Sequence, residues 1–203
     1  MKKLLIVTSL CLFSFSSSAA DALGGFSAKG GISWGMGKMK NESGSIKERD
    51  TNMLELAAMP GYRFWDVLVA PYLSYRSVGQ NTEPSEVNNQ NLKGSGYLIG
   101  LGSSYTYEMV SFTGAVSFLG QHKLSNKDLS NNEVTYKKPF GIHLGVDLML
   151  SRWFKPLDKV DFAANLNYSS VKYKEDQVGT SVADVDKDKR SQTNIALGIS
   201  AFY

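Results

Sequence analysis

From Gly25 to Lys38 the chain reads GFSAKGGISWGMGK, and two kinds of residue alternate along it without a break. Phe26, Ala28, Gly30, Ile32, Trp34 and Met36 fall on one side; Ser27, Lys29, Gly31, Ser33, Gly35 and Gly37 fall on the other. A period of two is the signature of a strand, because successive side chains point to opposite faces. Strands of soluble proteins average ~5–6 residues, whereas a strand crossing the hydrocarbon of a bilayer at a tilt needs ~9–11. An alternation longer than ten positions therefore favours a membrane strand.

The pattern recurs over Met53–Arg63, Val67–Val78, Tyr97–Thr106, Val110–Leu119, Phe140–Leu150, Val160–Tyr173 and Thr193–Tyr203, giving eight strands. Their connections alternate in length. Met39–Asn52, Gly79–Ser95, Gly120–Lys138 and Lys174–Arg190 are long and polar. Between them lie Trp65-Asp66, Glu108-Met109 and Ser151–Lys159. No apolar run after residue 20 reaches the ~18 residues of a membrane helix, so any span is made of strands. The predicted fold is all-β: an eight-stranded antiparallel up-and-down transmembrane barrel with short periplasmic turns and long extracellular loops.

Both ends of the chain fit this plan. Met1-Lys2-Lys3, the apolar run from Leu4 to Phe15 and the small residues Ser16 to Ala20 read as a secretory signal peptide cleaved after Ala20. The domains are then 1–20, signal, and 21–203, barrel. Cys11 is the single cysteine, and it goes with the signal, so no disulfide, thiolate metal site or cysteine nucleophile is expected in the mature chain. The formal charge of +3 falls to +1 once Lys2 and Lys3 are removed, which argues against nucleic acid as a partner. At the other end, NIALGISAFY alternates to its last residue, as a strand must if both its edges are paired.

Aromatic residues gather in two belts, as rings with a polar edge do at bilayer interfaces. Tyr62, Phe64, Trp65, Tyr105, Tyr107, Trp153, Phe154 and Tyr203 lie near the short turns; Trp34, Tyr75, Tyr97, Phe118, Tyr136, Phe140 and Tyr173 lie near the long connections. A soluble barrel would turn its apolar face inward. Here the inner face carries Lys29, Glu55, Arg63, Arg76, His143, Asp147, Asp161, Asn165 and Asn167, a poor apolar core but a workable ion-paired or hydrated lumen.

The ending Gly198-x-x-Ala201-x-Tyr203 resembles the C-terminal signal of outer-membrane proteins, and the whole chain from residue 21 resembles the small eight-stranded barrels of the OmpX, OmpW and OmpA-transmembrane type. Tyr203 stands where Phe is commoner, and Ala196 where a polar residue is often seen. The resemblance implies a place in the outer membrane of a Gram-negative envelope among lipids and lipopolysaccharide. It also implies insertion by the outer-membrane assembly machinery, which reads Gly198, Ala201 and Tyr203. A monomer is expected, with no cofactor.

Eight strands enclose a space that side chains can just fill. If Trp65-Asp66 is a two-residue turn, Phe64 faces Val67 and Glu55 faces Arg76 on the inner wall, close enough to form an ion pair. That pair reads first as a structural lock and second as a switchable gate. A cross-lumen pair of Arg63 with Asp147 is a further option. His143 is the one histidine expected on a strand, with His122 in a loop. Small barrels that modify lipid A use His with Ser and an acid, but Asp147 is ~13 Å from His143 along the strand, far beyond hydrogen-bond reach. No catalytic residue is assigned.

The carboxylates of Asp184-Val185-Asp186-Lys187-Asp188-Lys189-Arg190 resemble the start of a calcium loop. Lys189 stands where such a loop needs Gly, and the interleaved cations favour a solvated loop over a metal site. Lys172, Lys174, Lys187, Lys189 and Arg190 are placed to meet lipopolysaccharide phosphates. The reading of function is a non-enzymatic barrel with a filled lumen, acting structurally or in surface interaction such as adhesion or envelope integrity, with an external ligand of unidentified chemistry. The alternative is a narrow channel for small or hydrophobic solutes, for which the inner glycines Gly31, Gly35, Gly37, Gly100 and Gly102 would leave room. A lipid-modifying enzyme comes third.

Overall fold

A computed structural model describes residues 24–41, 49–80, 92–125, 133–150, 159–178, 181–184 and 190–203. They form β1 (Gly25–Asn41), β2 (Arg49–Phe64), β3 (Val67–Gln80), β4 (Leu92–Tyr107), β5 (Val110–Ser125), β6 (Glu133–Met149), β7 (Asp161–Val178), β8 (Ser181–Asp184) and β9 (Arg190–Phe202). Each strand pairs antiparallel with the next as far as β7; β9 joins β7 to β1, and β6–β7 completes the ring. Of the nine, the four-residue β8 pairs only with β7, so eight strands make the closed barrel. No helix among the described residues is long and apolar enough to cross a membrane.

The barrel strands are 13 to 18 residues long, longer than the ~9–11 a crossing requires. The extra length lies at the long-connection end. There the sequence turns polar while keeping its alternation, so hydropathy gives no stop signal although the backbone ladder continues. Connections read from sequence as 39–52 and 120–138 thus shrink to 42–48 and 126–132. Part of the segment read as the Lys174–Arg190 connection is strand: β7 runs on to Val178 and pairs with β8.

One irregularity redirects a whole strand end. In β5, Gly100 faces Ser117 but Ile99 faces Leu119, so Phe118 is an extra residue in the ladder. Such a bulge reverses the inside–outside parity beyond it. Gly120 takes a φ of 142° beside it, a conformation that suits glycine. Phe118 and Leu119 are both exposed, and His122 and Leu124 turn inward.

The seam between the first and last strands holds to the final residue. The Ala28 N–H donates to the Tyr203 carbonyl at 3.0 Å, the Tyr203 N–H donates back to the Ala28 carbonyl at 2.9 Å, and the Ser27 hydroxyl also donates to the Tyr203 carbonyl. Phe202 points inward and packs with Met149 and Ala163. Deleting Phe202 and Tyr203 is therefore expected to cost about 3–5 kcal/mol through the lost aromatic core residue alone. Refolding yield in detergent, read by the folded band on an unheated gel, should drop sharply.

Candidate functional site

The outer wall is a continuous apolar surface. Ile32, Trp34, Met36, Leu73, Tyr75, Leu101, Phe112, Phe140, Leu144, Leu166, Leu197 and Ile199 are exposed large hydrophobic residues from every side of the ring. Water would not tolerate a band this large on a monomer, whereas hydrocarbon solvates it. The expected belts are exposed at Tyr62, Phe64, Trp65, Tyr105 and Tyr107 on one rim and at Trp34, Tyr75, Tyr97, Phe118 and Phe140 on the other. Tyr136 and Tyr173, read from sequence as outer-belt residues, are instead buried inside, with ring centroids 5.5 Å apart. Lys138, at a φ of 51°, breaks the alternation of β6 and turns Tyr136 inward, and the strand β7 continues past the membrane band with Tyr173 on its inner face. Trp153 and Phe154 lie outside the described residues.

Inside, polar side chains form two clusters. In the first, Glu55 Oε1 accepts from Arg76 Nε at 3.1 Å and Nη2 at 2.9 Å, from Tyr72 Oη at 2.7 Å and from Ser74 Oγ at 2.6 Å. Glu55 and Arg76 sit directly opposite in the β2–β3 ladder, the register that the Trp65-Asp66 turn imposes. Arg76 is fully buried, so its charge depends on that carboxylate.

Arg76 Nη2 also lies 3.0 Å from His143 Nδ1, and His143 Nε2 lies 2.9 Å from Ser117 Oγ. The ring of His143 stacks on Tyr72 at 4.6 Å between centroids. Guanidinium can only donate, so Nδ1 accepts; in the neutral ring Nε2 then carries the hydrogen and donates to Ser117. This is the reverse of what activating a serine requires, since a general base must accept the hydroxyl proton. The sequence did not pair His143 with Ser117, because the connection between β5 and β6 is long and leaves their register open; in the ladder the two are diagonal neighbours, His143 opposite Ala115 and Ser117 opposite Gly141.

The second cluster lies toward the short turns. Lys29 Nζ bonds Asp147 Oδ2 at 2.5 Å and Thr113 Oγ1 at 2.6 Å. Asp147 Oδ1 accepts from Ser200 Oγ at 2.7 Å, and Ser200 accepts from Asn165 Nδ2 at 2.6 Å. Lys29 Nζ also sits 5.2 Å from the centre of the Phe202 ring. The option of pairing Arg63 with Asp147 is overturned: both Asp147 oxygens are taken, and Arg63 Nε has no hydrogen-bond partner. Asp161 keeps inward parity but is exposed at the barrel end, so it does not contribute to the lumen. His122, expected in a loop, is a buried residue of β5, for the reason of parity given above.

Above the first cluster, at the long-connection end, an apolar layer packs beside the buried polar side chains of Thr51, Gln80, His122, Gln192 and Asn194. Met39, Met53, Val78, Leu98, Leu124, Tyr136, Val171 and Tyr173 form one buried cluster with Ala196. Sequence reading took the inner face as polar and missed this layer. Its signal was the inward parity of Met39, Met53, Val78 and Leu98. The inner glycines do not open a passage either, because neighbouring chains close over them. A Cβ on Gly35 would lie 2.4 Å from the Ile195 carbonyl oxygen, and one on Gly100 would lie 1.8 Å from that of Val116. A cavity of about 60 Å³ remains between the clusters, lined in part by Lys29, Glu55, Tyr72, His143, Asn165 and Ser169. That is room for a few water molecules.

Within the segment Asp184–Arg190, residues 185–189 lie outside the described residues, as do the signal segment and its cleavage position at Ala20. Gly198 and Ala201 belong to β9, whose pairing to β1 and β7 includes both of them.

A closed ring of eight long antiparallel strands, apolar outside and polar or plugged inside, is the architecture of the small outer-membrane β-barrels. No protein-family model matches the chain, and no curated protein does. Among solved structures it is similar to Neisserial surface protein A (NspA), at 15% identity over 87% of this chain and 97% of that one, with a TM-score of 0.50. It is also similar to Ail, the attachment invasion locus protein of Yersinia pestis, at 13% identity over 88% and 99%, with a TM-score of 0.47. The likeness to NspA is one of fold.

Proposed function

We propose that the protein is an outer-membrane barrel with a lumen sealed by its own side chains, acting in a structural or surface-interaction role through its outer end. The observation that carries this reading is the filled lumen. The buried Glu55–Arg76 pair, the half-buried Lys29–Asp147 pair and an apolar layer occupy the space a solute would need. With the interior committed to holding the barrel shut, the segments joining β1–β2, β3–β4, β5–β6 and β7–β9 are what remains to meet a partner, as loops on a rigid scaffold commonly do. The apolar outer wall supports membrane residence, and the signal-like N-terminus supports export. Gly198, Ala201 and Tyr203 serve as the insertion signal for the assembly machinery. The inverted donor sense at His143–Ser117 and their burial speak against a hydrolytic role for them.

The test is single-channel recording of the refolded mature protein in a planar bilayer. A silent wild type across the accessible voltage range is the expected result. Discrete openings altered by Glu55→Ala would overturn the sealed reading and put the narrow channel in its place.

A further inference from the structure

The ladder between β2 and β3 is interrupted within the apolar outer wall. Ala58 faces Leu73 and Tyr62 faces Val69, so the register is the same on both sides of the break, yet Met59, Pro60 and Gly61 drop out of it. That register sets Pro60 opposite Pro71, and neither has a backbone N–H to donate. The exposed side chains of Val69, Leu73 and Leu101 surround the pair on the outside.

The bonds that are missing can be identified from the closing seam. Both the N–H and the carbonyl of Ala28 are engaged by Tyr203, so Ala28↔Pro60 is one of the pairs of the β1–β2 ladder that carry no hydrogen bonds. Alternation then turns the backbone edge of Pro60 toward β3, where the pair with Pro71 would carry two bonds and carries none. The nearest pairs in bonding phase are Ala58↔Leu73 and Tyr62↔Val69, which leaves about 13 Å of strand without a bond between β2 and β3. Two carbonyl oxygens face this gap without a ladder donor, a costly state in hydrocarbon.

The cavity of about 60 Å³ lies directly behind the gap, where Ala57, Ala58, Met59 and Tyr72 line it. Tyr72 is held by Glu55 and His143, whereas Met59 is a flexible thioether that shifts at little cost. Ion pairs and the apolar layer close the cavity toward both ends of the barrel, so the gap is its side. Glu55 accepts all four of its hydrogen bonds at Oε1, and among the described residues its Oε2 has no partner. Ser169 also lines the cavity, is buried, and has an unpartnered hydroxyl.

We propose that the β2–β3 gap is a lateral entrance from the bilayer, and that the cavity behind it binds the hydroxyl head of a neutral single-chain amphiphile. The two proline carbonyls and Glu55 Oε2 all accept, so the occupant must donate. Glu55 is balanced by Arg76 and Asp147 by Lys29; a charged head would bring an unpaired charge into a buried site, and a hydroxyl would not. The head donates to Glu55 Oε2 and accepts from Ser169, while the apolar chain crosses Pro60 and Pro71 and lies against Leu73 and Leu101. The proposal rests on the membrane placement proposed above. It leaves the lumen sealed from end to end.

The test uses the mature barrel in phosphatidylcholine vesicles with a medium-chain primary alcohol that carries a diazirine near its hydroxyl. After irradiation, adducts are mapped by mass spectrometry. The wild type should be labelled at the inward residues Met59, Tyr72 and Ser169, which a molecule confined to the bilayer does not touch. The methyl ether of the same probe should label them about tenfold less, the loss of one hydrogen bond to a charged acceptor. The variant Pro60→Ala/Pro71→Ala regains two ladder donors, so it should keep its folded band on an unheated gel and lose the inward adducts.

Adducts confined to the outer wall would overturn the proposal and leave water as the donor at the gap. Equal inward labelling by alcohol and ether would remove the hydroxyl site, and inward labelling that persists in the proline variant would remove the entrance. Outer-wall adducts at Leu73 and Leu101 report membrane placement separately. Without them the membrane reading falls as well; with them and no inward adducts, only the entrance and its site fall.

Discussion

Glu55→Ala should lower the unfolding free energy by about 3–5 kcal/mol, the cost of leaving a buried charge without its partner. Arg76 has no exposure through which water could replace the lost carboxylate. Tyr72 and Ser74 would lose their acceptor in the same step. Urea unfolding of the barrel in lipid vesicles, followed by tryptophan fluorescence, reads this directly. The loss should change little with added salt, because buried pairs are weakly screened. A double variant Glu55→Leu/Arg76→Met should be less damaged than the sum of its single changes, since replacing both partners removes the orphaned charge. Additive losses would mean that the two side chains stabilise the barrel independently, and the lock would be the wrong description.

The second large effect is expected at Gly100. Its neighbours in the ladder are Tyr72 on β3 and Ser117 on β5, both inward. Tyr72 stacks on His143 of β6, two strands beyond the glycine, and donates to Glu55 on β2. A Cβ here would meet the Val116 carbonyl oxygen at 1.8 Å and the Ser117 Cα at 2.6 Å, so backbone would have to move. Gly100→Val should therefore destabilise by about 3 kcal/mol or more, the upper range of overpacking. Gly114→Ala, where the added carbon meets nothing within 4 Å, is the matched control and should be near neutral. If both changes were tolerated alike, the lumen would be looser than its hydrogen bonds imply, and the channel reading would regain ground.

These two sites show how unevenly the chain discloses its interior. The Glu55–Arg76 contact was legible because only a two-residue turn separates β2 from β3, and counting outward from Phe64 and Val67 is reliable across a short hairpin. The contact of Lys29 with Asp147 spans 118 residues of sequence and no hairpin. Nothing local ties β1 to β6, so the pairing depends on barrel closure and on how far each side chain reaches over the lumen. His122 was misread for a different reason. The sequence reading ended the strand at Leu119, where the apolar residues stop, but the ladder runs on to Ser125, and the extra residue at Phe118 then turns His122 inward without a mark in hydropathy. Tyr136 and Tyr173 were misread with it, since a tyrosine suits a membrane interface and a barrel interior equally well.

What the sequence determined by itself was the kind of object: a period of two sustained for ten residues or more, repeated eight times, admits strands long enough to cross a bilayer and a ring that leaves no edge. Local sterics and the transfer of apolar side chains from water act residue by residue, so they are written in the order of the residues. Which side chains meet inside the lumen was decided only by tertiary structure. Closing eight strands brings side chains from distant strands within 3 Å of one another, and which of them meet depends on the stagger of the ring and on a single bulge, neither of which any one segment encodes.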